Sequence, residues 1–290
     1  MRKEENISEN EIRVIGGYDG RATSHISRKL FAIVASVLVA IGILIWVLWP
    51  KSHGNESIPS IMEQGQEEML QHPLQSWFST IDTIGAVKTI TKDTLVNDIP
   101  LHIYVPLNRT PHLEVGRSIA DNREDALLFF EAADVRADNG KIVGAFVLRG
   151  KPLSWGLSKR GYCAIIDGGV TVGVAENSPL FEEATEKEGD FFRQYPLVDK
   201  GNLVHNELKN KSIRRALCDI DNHIAVVETQ TRESLHDFAQ ALIDIGTFNA
   251  IYLVGGDAMG WSLDEDGNGY EIGDWSNRKH KNISFIVWTK

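Results

Sequence analysis

An uninterrupted apolar segment near the N-terminus constrains the folding of this chain more than any other feature. The segment from Leu30 to Trp49 contains no charged and no amide side chain, and a helix needs about 20 such residues to cross the hydrocarbon layer of a bilayer. A cleavable signal peptide is the alternative, but its apolar core is shorter and ends in small residues, whereas Trp46, Trp49 and Pro50 end this one. The sequence therefore predicts one uncleaved transmembrane helix, residues 30–49, with the lipid bilayer as its partner.

Positive charges beside this segment indicate its orientation. Arg21, Arg28 and Lys29 precede it, whereas Lys51 is the nearby cation that follows. Cytoplasmic flanks of membrane helices carry the excess of Lys and Arg. We therefore expect a single-pass membrane protein with a cytoplasmic N-terminus, whose C-terminal part lies in the periplasm or outside the cell.

The remaining chain divides by composition into three parts. Residues 1–29 are polar and lack a sustained apolar period, which predicts a disordered cytoplasmic tail. Residues 50–73 are polar and contain Gly and Pro, which predicts a stalk with one short helix near residues 61–70. Residues 74–290 hold the other apolar runs and are predicted to form one globular domain.

Strands dominate the predicted secondary structure of this domain. Short runs rich in Val, Ile and aromatic residues alternate with turns, a pattern typical of strands. The clearest runs are residues 99–107, 141–156, 162–175, 223–229, 249–256 and 282–288.

One helix is marked between the fourth and fifth of these runs, at residues 231–246. Thr231 can cap its start, Gly246 suits the left-handed conformation that ends a helix, and apolar residues recur at helical spacing between them. The order strand, helix, strand in this part of the chain predicts a right-handed crossover that joins two neighbouring parallel strands. The predicted fold class is therefore α+β, a mixed β-sheet domain with a few packed helices, preceded by one transmembrane helix.

Composition excludes several classes of partner. The formal net charge of -10 argues against nucleic acid, because phosphate backbones are bound by clustered Lys and Arg. The histidines are scattered without a metal-binding spacing, so neither a metal nor another cofactor is predicted. Cys163 and Cys218 lie in apolar strand contexts, and the sequence leaves open whether they pair or are buried free thiols.

Several motifs together resemble those of a known enzyme family. The capped helix is followed by an apolar strand that ends in Gly255 and Gly256, and an Arg-Ala pair and a strand precede it. Residues 125–290 are in this respect similar to the phosphodiester glycosidase family, with its lysosomal uncovering-enzyme-like domain. Four stretches look like a divergent bacterial envelope branch of that family. These are residues 131–147, 161–169, 191–198 and 214–218.

The resemblance implies a site at the end of the last strand of this motif. Family members have Leu-Asp-Gly-Gly-Gly-Ser there and an upstream Arg-Thr-Ala. This chain has Leu253, Val254, Gly255, Gly256, Asp257 and Ala258, preceded by Arg214, Arg215 and Ala216. The resemblance therefore implies Arg214 and Asp257 as catalytic residues, and Gly255, Gly256 and Arg215 as substrate-binding residues. On a strand, neighbouring side chains point to opposite faces, so at most one arginine faces a pocket and the other is predicted to be a solvated charge.

Two functional hypotheses follow from the resemblance, and a structural scaffold is a third. The first is an envelope hydrolase acting on a sugar phosphodiester. The second is an inactive module that binds a glycan or envelope polymer, because the family's acidic position is Val254 here and glycoside hydrolysis relies on placed carboxylates.

Three further features have competing interpretations. Residues 264–269 are interpreted as a hairpin turn rather than a calcium loop. His236 and Asp237 fall off the apolar stripe of the predicted helix, which favours a solvated face over acid–base catalysis. Trp155, Trp261 and Trp275 could stack on sugar rings or belong to the core.

Overall fold

The computed structural model describes residues 73–81, 85–206, 210–276 and 283–290. Within these ranges, no helix is both long enough and apolar enough to cross a bilayer. The predicted tail, transmembrane helix and stalk helix lie outside the described residues, so the anchor and the exported location stay predictions from the sequence.

The described residues form four short helices and seventeen strands. The helices are α1 (Pro73–Ser79), α2 (Ser118–Asp121), α3 (Leu180–Glu186) and α4 (Leu235–Asp244). The strands in chain order are β1 (Lys88–Val96), β2 (Ile99–Leu107), β3 (His112–Val115), β4 (Ala126–Glu131), β5 (Ala145–Leu148), β6 (Lys151–Trp155), β7 (Gly161–Ile166), β8 (Gly169–Val174), β9 (Asp190–Gln194), β10 (Pro196–Asp199), β11 (Asn202–Leu203), β12 (Arg215–Ile220), β13 (His223–Thr229), β14 (Thr247–Leu253), β15 (Gly260–Leu263), β16 (Gly269–Ile272) and β17 (Ser284–Thr289).

The strands of the described chain form three antiparallel sheets. A seven-stranded sheet has the order β1-β2-β13-β12-β14-β10-β11, and the two five-stranded sheets have the orders β16-β15-β4-β17-β3 and β6-β5-β9-β7-β8. The predicted α+β class is therefore wrong, because sheets dominate and the helices are short. Strands β4 and β9 are almost wholly buried on both faces, so they lack the alternation by which a half-buried strand is recognised in a sequence.

The predicted crossover is also corrected. Strands β13 and β14 both pair antiparallel with β12, in which Leu217 lies opposite Val226 on one side and Ile251 on the other. The two strands joined by helix α4 therefore run parallel to each other, but β12 separates them. The prediction of hydrogen-bonded parallel neighbours is wrong, because sequence order does not reveal an inserted antiparallel strand.

The seven-stranded sheet has a different partner on each face. Leu101 on one face shares a buried cluster with Phe238 of α4 and with residues of α1. Leu217 on the other face shares a cluster with Phe130 and Phe146, which belong to the two five-stranded sheets. Burying each of these large apolar side chains stabilises the fold by roughly 1.5–3 kcal/mol.

The N-terminal cap of helix α4 lies three residues later than predicted. The helix starts at Leu235, and Ser234 rather than Thr231 caps it, because the Ser234 hydroxyl accepts a hydrogen bond from the backbone N–H of Asp237 at 3.0 Å. The predicted stop is confirmed, since Gly246 has a φ of 88°. The strands predicted at residues 99–107 and 223–229 are confirmed as β2 and β13.

Candidate functional site

The turn after strand β14, residues 254–258, carries the predicted binding glycines, and we call it the strand-end turn. Backbone hydrogen bonds fix its path. The N–H of Val254 donates to the carbonyl of Glu131 at 3.1 Å, and the N–H of Gly256 donates to the carbonyl of Ile213 at 2.8 Å. Because two separate segments of the chain hold the turn, its remaining backbone groups have fixed directions.

Both glycines of the strand-end turn are required by its backbone. A β-carbon on Gly255 would lie 2.3 Å from the carbonyl oxygen of Ile213 and 2.7 Å from the hydroxyl oxygen of Tyr252. Gly256 has a φ of 64°, in the left-handed region that residues with a side chain rarely adopt. The close approach of the chain therefore explains the two glycines without a ligand.

The strand-end turn has polar groups that make no hydrogen bond within the described part of the chain. The backbone N–H groups of Gly255 and Asp257 donate to no acceptor within the described residues. Asp257 is exposed, and within the same ranges its carboxylate has no ion-pair partner. Two fixed N–H donors beside one carboxylate acceptor can bind a ligand that carries both acceptors and hydroxyl donors.

Arg215 supports the strand-end turn from inside the protein. Its side chain is only 1% exposed, and its Nε donates to the carboxylate of Glu228. Its Nη1 donates to the carbonyl of Ala258 at 2.6 Å and to that of Val254 at 3.3 Å. The guanidinium also lies 5.5 Å from the centroid of the Phe130 ring. Arg215 therefore joins the two ends of the turn and is neutralised by a partly buried carboxylate.

Arg214 makes its contacts with a different set of elements. It is 3% exposed, and its Nε donates to the carbonyl of Glu233 at 2.8 Å, just before helix α4. Its Nη2 donates to the carbonyl of Asn210, and its guanidinium lies 5.9 Å from the centroid of the Tyr252 ring. Arg214 therefore ties the segment before strand β12 to the start of α4.

The burial of the two arginines differs from what the sequence predicted. Both are buried, whereas one of them was predicted to be a solvated charge. Buried guanidinium groups need hydrogen-bond partners, and the protein itself supplies them to both. No hydrogen bond or ion pair among the described residues joins Asp257 to either arginine.

A row of charged residues crosses the sheet beside Arg215, and sequence analysis missed it. Glu228 lies opposite Arg215 on one side and His102 on the other, and Asp93 lies opposite His102. The His102 Nδ1 is 2.6 Å from the Asp93 Oδ1, whereas the buried Nε2 has no partner in the part of the chain described. Only the pairing register brings these residues together, and no short-range sequence signal reveals that register.

Tyr104 lies next to this row and remains protonated. Burial raises the pKa of its hydroxyl far above the ordinary value, and the nearby Glu228 carboxylate and Tyr270 raise it further. The Tyr104 ring also meets the His102 ring edge-on, with centroids 4.4 Å apart. A tyrosine in this environment donates a hydrogen bond and does not act as a base at neutral pH.

Residues 264–269 form the predicted hairpin turn between β15 and β16. The Asp264 carboxylate accepts hydrogen bonds from the backbone N–H groups of Asp266 at 3.0 Å and Asn268 at 2.7 Å. The bonds from Asn268 lower the pKa of Asp264. The carboxylate that a calcium loop would need is therefore occupied by the turn itself.

The described residues contain no group of three or more His, Cys, Asp or Glu side chains that could hold a metal ion. His236 stacks on His205 with ring centroids 6.3 Å apart, and Asp237 takes part in capping α4. Cys163 and Cys218 are buried free thiols on different sheets. Burial raises the pKa of both thiols, so neither is a reactive thiolate.

The three tryptophans named above have different environments. Trp261 and Trp275 enclose the guanidinium of Arg123, which lies 4.6 Å from the centroid of each ring. Trp155, at the end of strand β6, is 67% exposed. Only Trp155 among these three therefore presents a large aromatic surface to a ligand.

Comparison with solved structures shows that this fold resembles a phosphodiester glycosidase domain. One similar structure is the catalytic domain of zebrafish N-acetylglucosamine-1-phosphodiester alpha-N-acetylglucosaminidase, auto-inhibited by its pro-peptide. It matches with a TM-score of 0.51 and 15% sequence identity, over 72% of this chain and 85% of that chain. A hypothetical protein from Synechocystis matches with a TM-score of 0.52 and 15% identity, over 71% of this chain and 64% of that chain.

No family model and no curated protein matches the sequence. At this level of identity the likeness concerns the fold alone. The fold expected from the sequence motifs is therefore confirmed at the level of a remote phosphodiester glycosidase-like domain.

Proposed function

We propose that this domain binds a glycan at the strand-end turn and does not hydrolyse it. The observation that carries the proposal is the internal use of both arginines. Arg215 is bound to Glu228 and to the carbonyls of the turn, and Arg214 is bound to backbone carbonyls near α4. Both side chains are 3% exposed or less, and the nitrogens that make these bonds are not free to hold a phosphodiester.

The carboxylates at the strand-end turn also argue against hydrolysis. Glycosidases commonly use two carboxyl groups that flank the scissile bond, about 5 to 9.5 Å apart. Here Val254 stands at the family's acidic position, and Asp257 is the acidic residue within the turn itself. Glu228, below the turn, is held by Arg215. Glu131 and Asp274 adjoin the turn, but each of their carboxylates already accepts hydrogen bonds inside the protein. Of these three acidic side chains, Asp257 alone accepts none among the described residues, and one such carboxylate supports binding but does not supply both an acid and a base.

The polar groups of the turn suit a sugar. The N–H groups of Gly255 and Asp257 can donate to hydroxyl or acetamido oxygens, and the Asp257 carboxylate can accept from sugar hydroxyls. The negative charge of Asp257 disfavours direct contact with a phosphate group. In a glycan phosphodiester, the neutral sugar would therefore occupy the turn.

Hydrolysis of a sugar phosphodiester is the second candidate function. The likeness of the fold to a catalytic domain favours this function. So does the presence of Arg214 and Asp257 at the two positions that the family resemblance implies as catalytic. Hydrolysis requires Arg214 to exchange its bonds with Glu233 and Asn210 for bonds to a substrate.

We expect the full chain to bind a soluble methyl phosphodiester of N-acetylglucosamine 1-phosphate without releasing the sugar. Asp257→Ala should weaken this binding about tenfold, or roughly 1.4 kcal/mol, because it removes the exposed acceptor. Calorimetry measures the affinity, and chromatography of the same sample measures free sugar.

Asp266→Ala is the matched control, because it removes an exposed carboxylate from the neighbouring hairpin. It should bind like the unaltered chain. Sugar release that is lost in Asp257→Ala and Arg214→Ala would contradict the proposal and establish the second candidate.

A further inference from the structure

A concave surface lies between edge strand β6 and helix α3, and its lining residues are distant in the sequence from the strand-end turn. It is an open cavity of about 480 Å³, and its lining includes Trp155, Leu157, Phe181, Glu182 and Arg193. Ligand sites in proteins are clefts of about 300–1,000 Å³, lined mostly by apolar and aromatic side chains with a few placed polar groups. The size and the lining of this cavity match that description.

Trp155 also lines another cavity. The second cavity has a volume of about 450 Å³, and Trp155, Leu153 and Lys141 are among its lining residues. Leu153, Trp155 and Leu157 occupy alternate positions and are 37%, 67% and 66% exposed. Leu153 and Trp155 lie on one face of β6, because alternate side chains of a strand share a face, and Leu157 follows just after the strand. The indole therefore belongs to a group of exposed apolar residues and lines both cavities.

Arg193 provides a fixed and unsatisfied donor in the first cavity. Its side chain is 2% exposed, and its two terminal nitrogens donate to the carbonyls of Lys159 at 2.8 Å, Ala175 at 3.0 Å and Glu176 at 2.9 Å. Its Nε is buried and has no partner among the described residues. An unpartnered buried donor in a native structure calls for an explanation, and a ligand oxygen would satisfy it once the groups that cover the Nε move aside.

We propose that the two cavities and Trp155 form a binding site for a neutral oligosaccharide. The apolar face of one sugar ring packs on the exposed indole, and the adjoining rings enter the two cavities. The Arg193 Nε donates to a sugar oxygen, and the Glu182 carboxylate accepts from a hydroxyl. This site is independent of the function proposed for the strand-end turn.

The lining favours a sugar over other ligands. A purely apolar ligand would cover the exposed Glu182 carboxylate without replacing its contacts with water, which is unfavourable. A strongly anionic ligand would be repelled by Glu182 and Glu176, which lie close enough to Arg193 to affect its pKa. A neutral ligand with many hydroxyl groups and an apolar ring face avoids both costs.

Calorimetric titration of the full chain with two neutral probes, triacetylchitotriose and cellotriose, tests the proposal. We expect saturable binding of at least one probe, weakened at least tenfold by Trp155→Ala and several-fold by Glu182→Gln. The matched control is Phe248→Ala, which removes another exposed aromatic ring, 52% exposed, that lines neither cavity. Trp155→Ala and Phe248→Ala replace exposed side chains, so both variants should keep the far-ultraviolet circular dichroism spectrum of the unaltered chain.

The same titrations distinguish the oligosaccharide site from the site proposed at the strand-end turn. Loss of binding in Trp155→Ala with retention in Asp257→Ala supports the oligosaccharide site. Absence of binding by both probes, or equal affinity of Trp155→Ala and the unaltered chain, overturns it and leaves the turn proposal intact. A third outcome would also overturn the oligosaccharide site. If neither probe binds and the chain dimerises with increasing concentration unless Trp155 is replaced by Ala, these exposed apolar residues bind a second copy of the chain.

Discussion

Replacing Arg215 with methionine is expected to lower the free energy of unfolding by about 3 kcal/mol. Arg215 is 1% exposed and its ion-pair partner Glu228 is 14% exposed, so the substitution leaves a carboxylate with little access to water. It also removes the hydrogen bonds to the carbonyls of Val254 and Ala258. Urea-induced unfolding, monitored by tryptophan fluorescence, measures the loss.

Two controls identify the loss of the Arg215–Glu228 ion pair as the cause. Arg160→Ala breaks a surface ion pair with Glu176, whose side chains are 50% and 76% exposed, and should cost less than about 1 kcal/mol. The double substitution Arg215→Met with Glu228→Leu should be more stable than Arg215→Met alone, because no charge is left unpaired. A loss below about 1 kcal/mol in Arg215→Met would contradict the role assigned to Arg215.

Gly255→Ala is expected to destabilise the domain by about 3 kcal/mol, the upper part of the range for an overpacked site. The added β-carbon would lie 2.3 Å from the backbone carbonyl oxygen of Ile213. Backbone cannot move aside like the end of a flexible side chain, so the turn itself must shift. The same unfolding experiment measures the effect.

Gly168→Ala separates the steric effect from backbone strain. Gly168 has a φ of 80°, and a β-carbon there would meet nothing within 4 Å, so about 1 kcal/mol is expected from the unfavourable conformation. Equal losses in Gly255→Ala and Gly168→Ala would mean that the close approach to Ile213 does not constrain the strand-end turn.

Local pattern was enough to locate many strands but not to fix the fold class. Strands β2 and β13 were predicted with their observed bounds, because they are rich in Val, Ile and aromatic residues and are flanked by turns. Strand β1 was missed because it lies at the edge of its sheet and carries many polar residues. A prediction that finds one clear helix and misses such strands overestimates the fraction of the domain that is helical.

The candidate site was predictable in position but not in its interactions. Gly255 and Gly256 mark the end of a buried strand, and the structure places a constrained turn there. The partners of Arg215 could not be predicted, because Val254 and Ala258 are 39 and 43 residues away in the sequence. Their contact depends on β14 pairing with β12, a register that local sequence does not specify.

In the proposed function, the strand-end turn binds a sugar through the backbone N–H groups of Gly255 and Asp257 while the phosphodiester stays intact. Nuclear magnetic resonance of the full chain labelled with ¹⁵N, titrated with the methyl phosphodiester of N-acetylglucosamine 1-phosphate, tests both parts in one sample. We predict saturable shifts of the Gly255 and Asp257 amide signals and an unchanged phosphodiester in the ³¹P spectrum. Amide signals that do not move, or the appearance of a phosphate monoester that requires Asp257, would contradict the account.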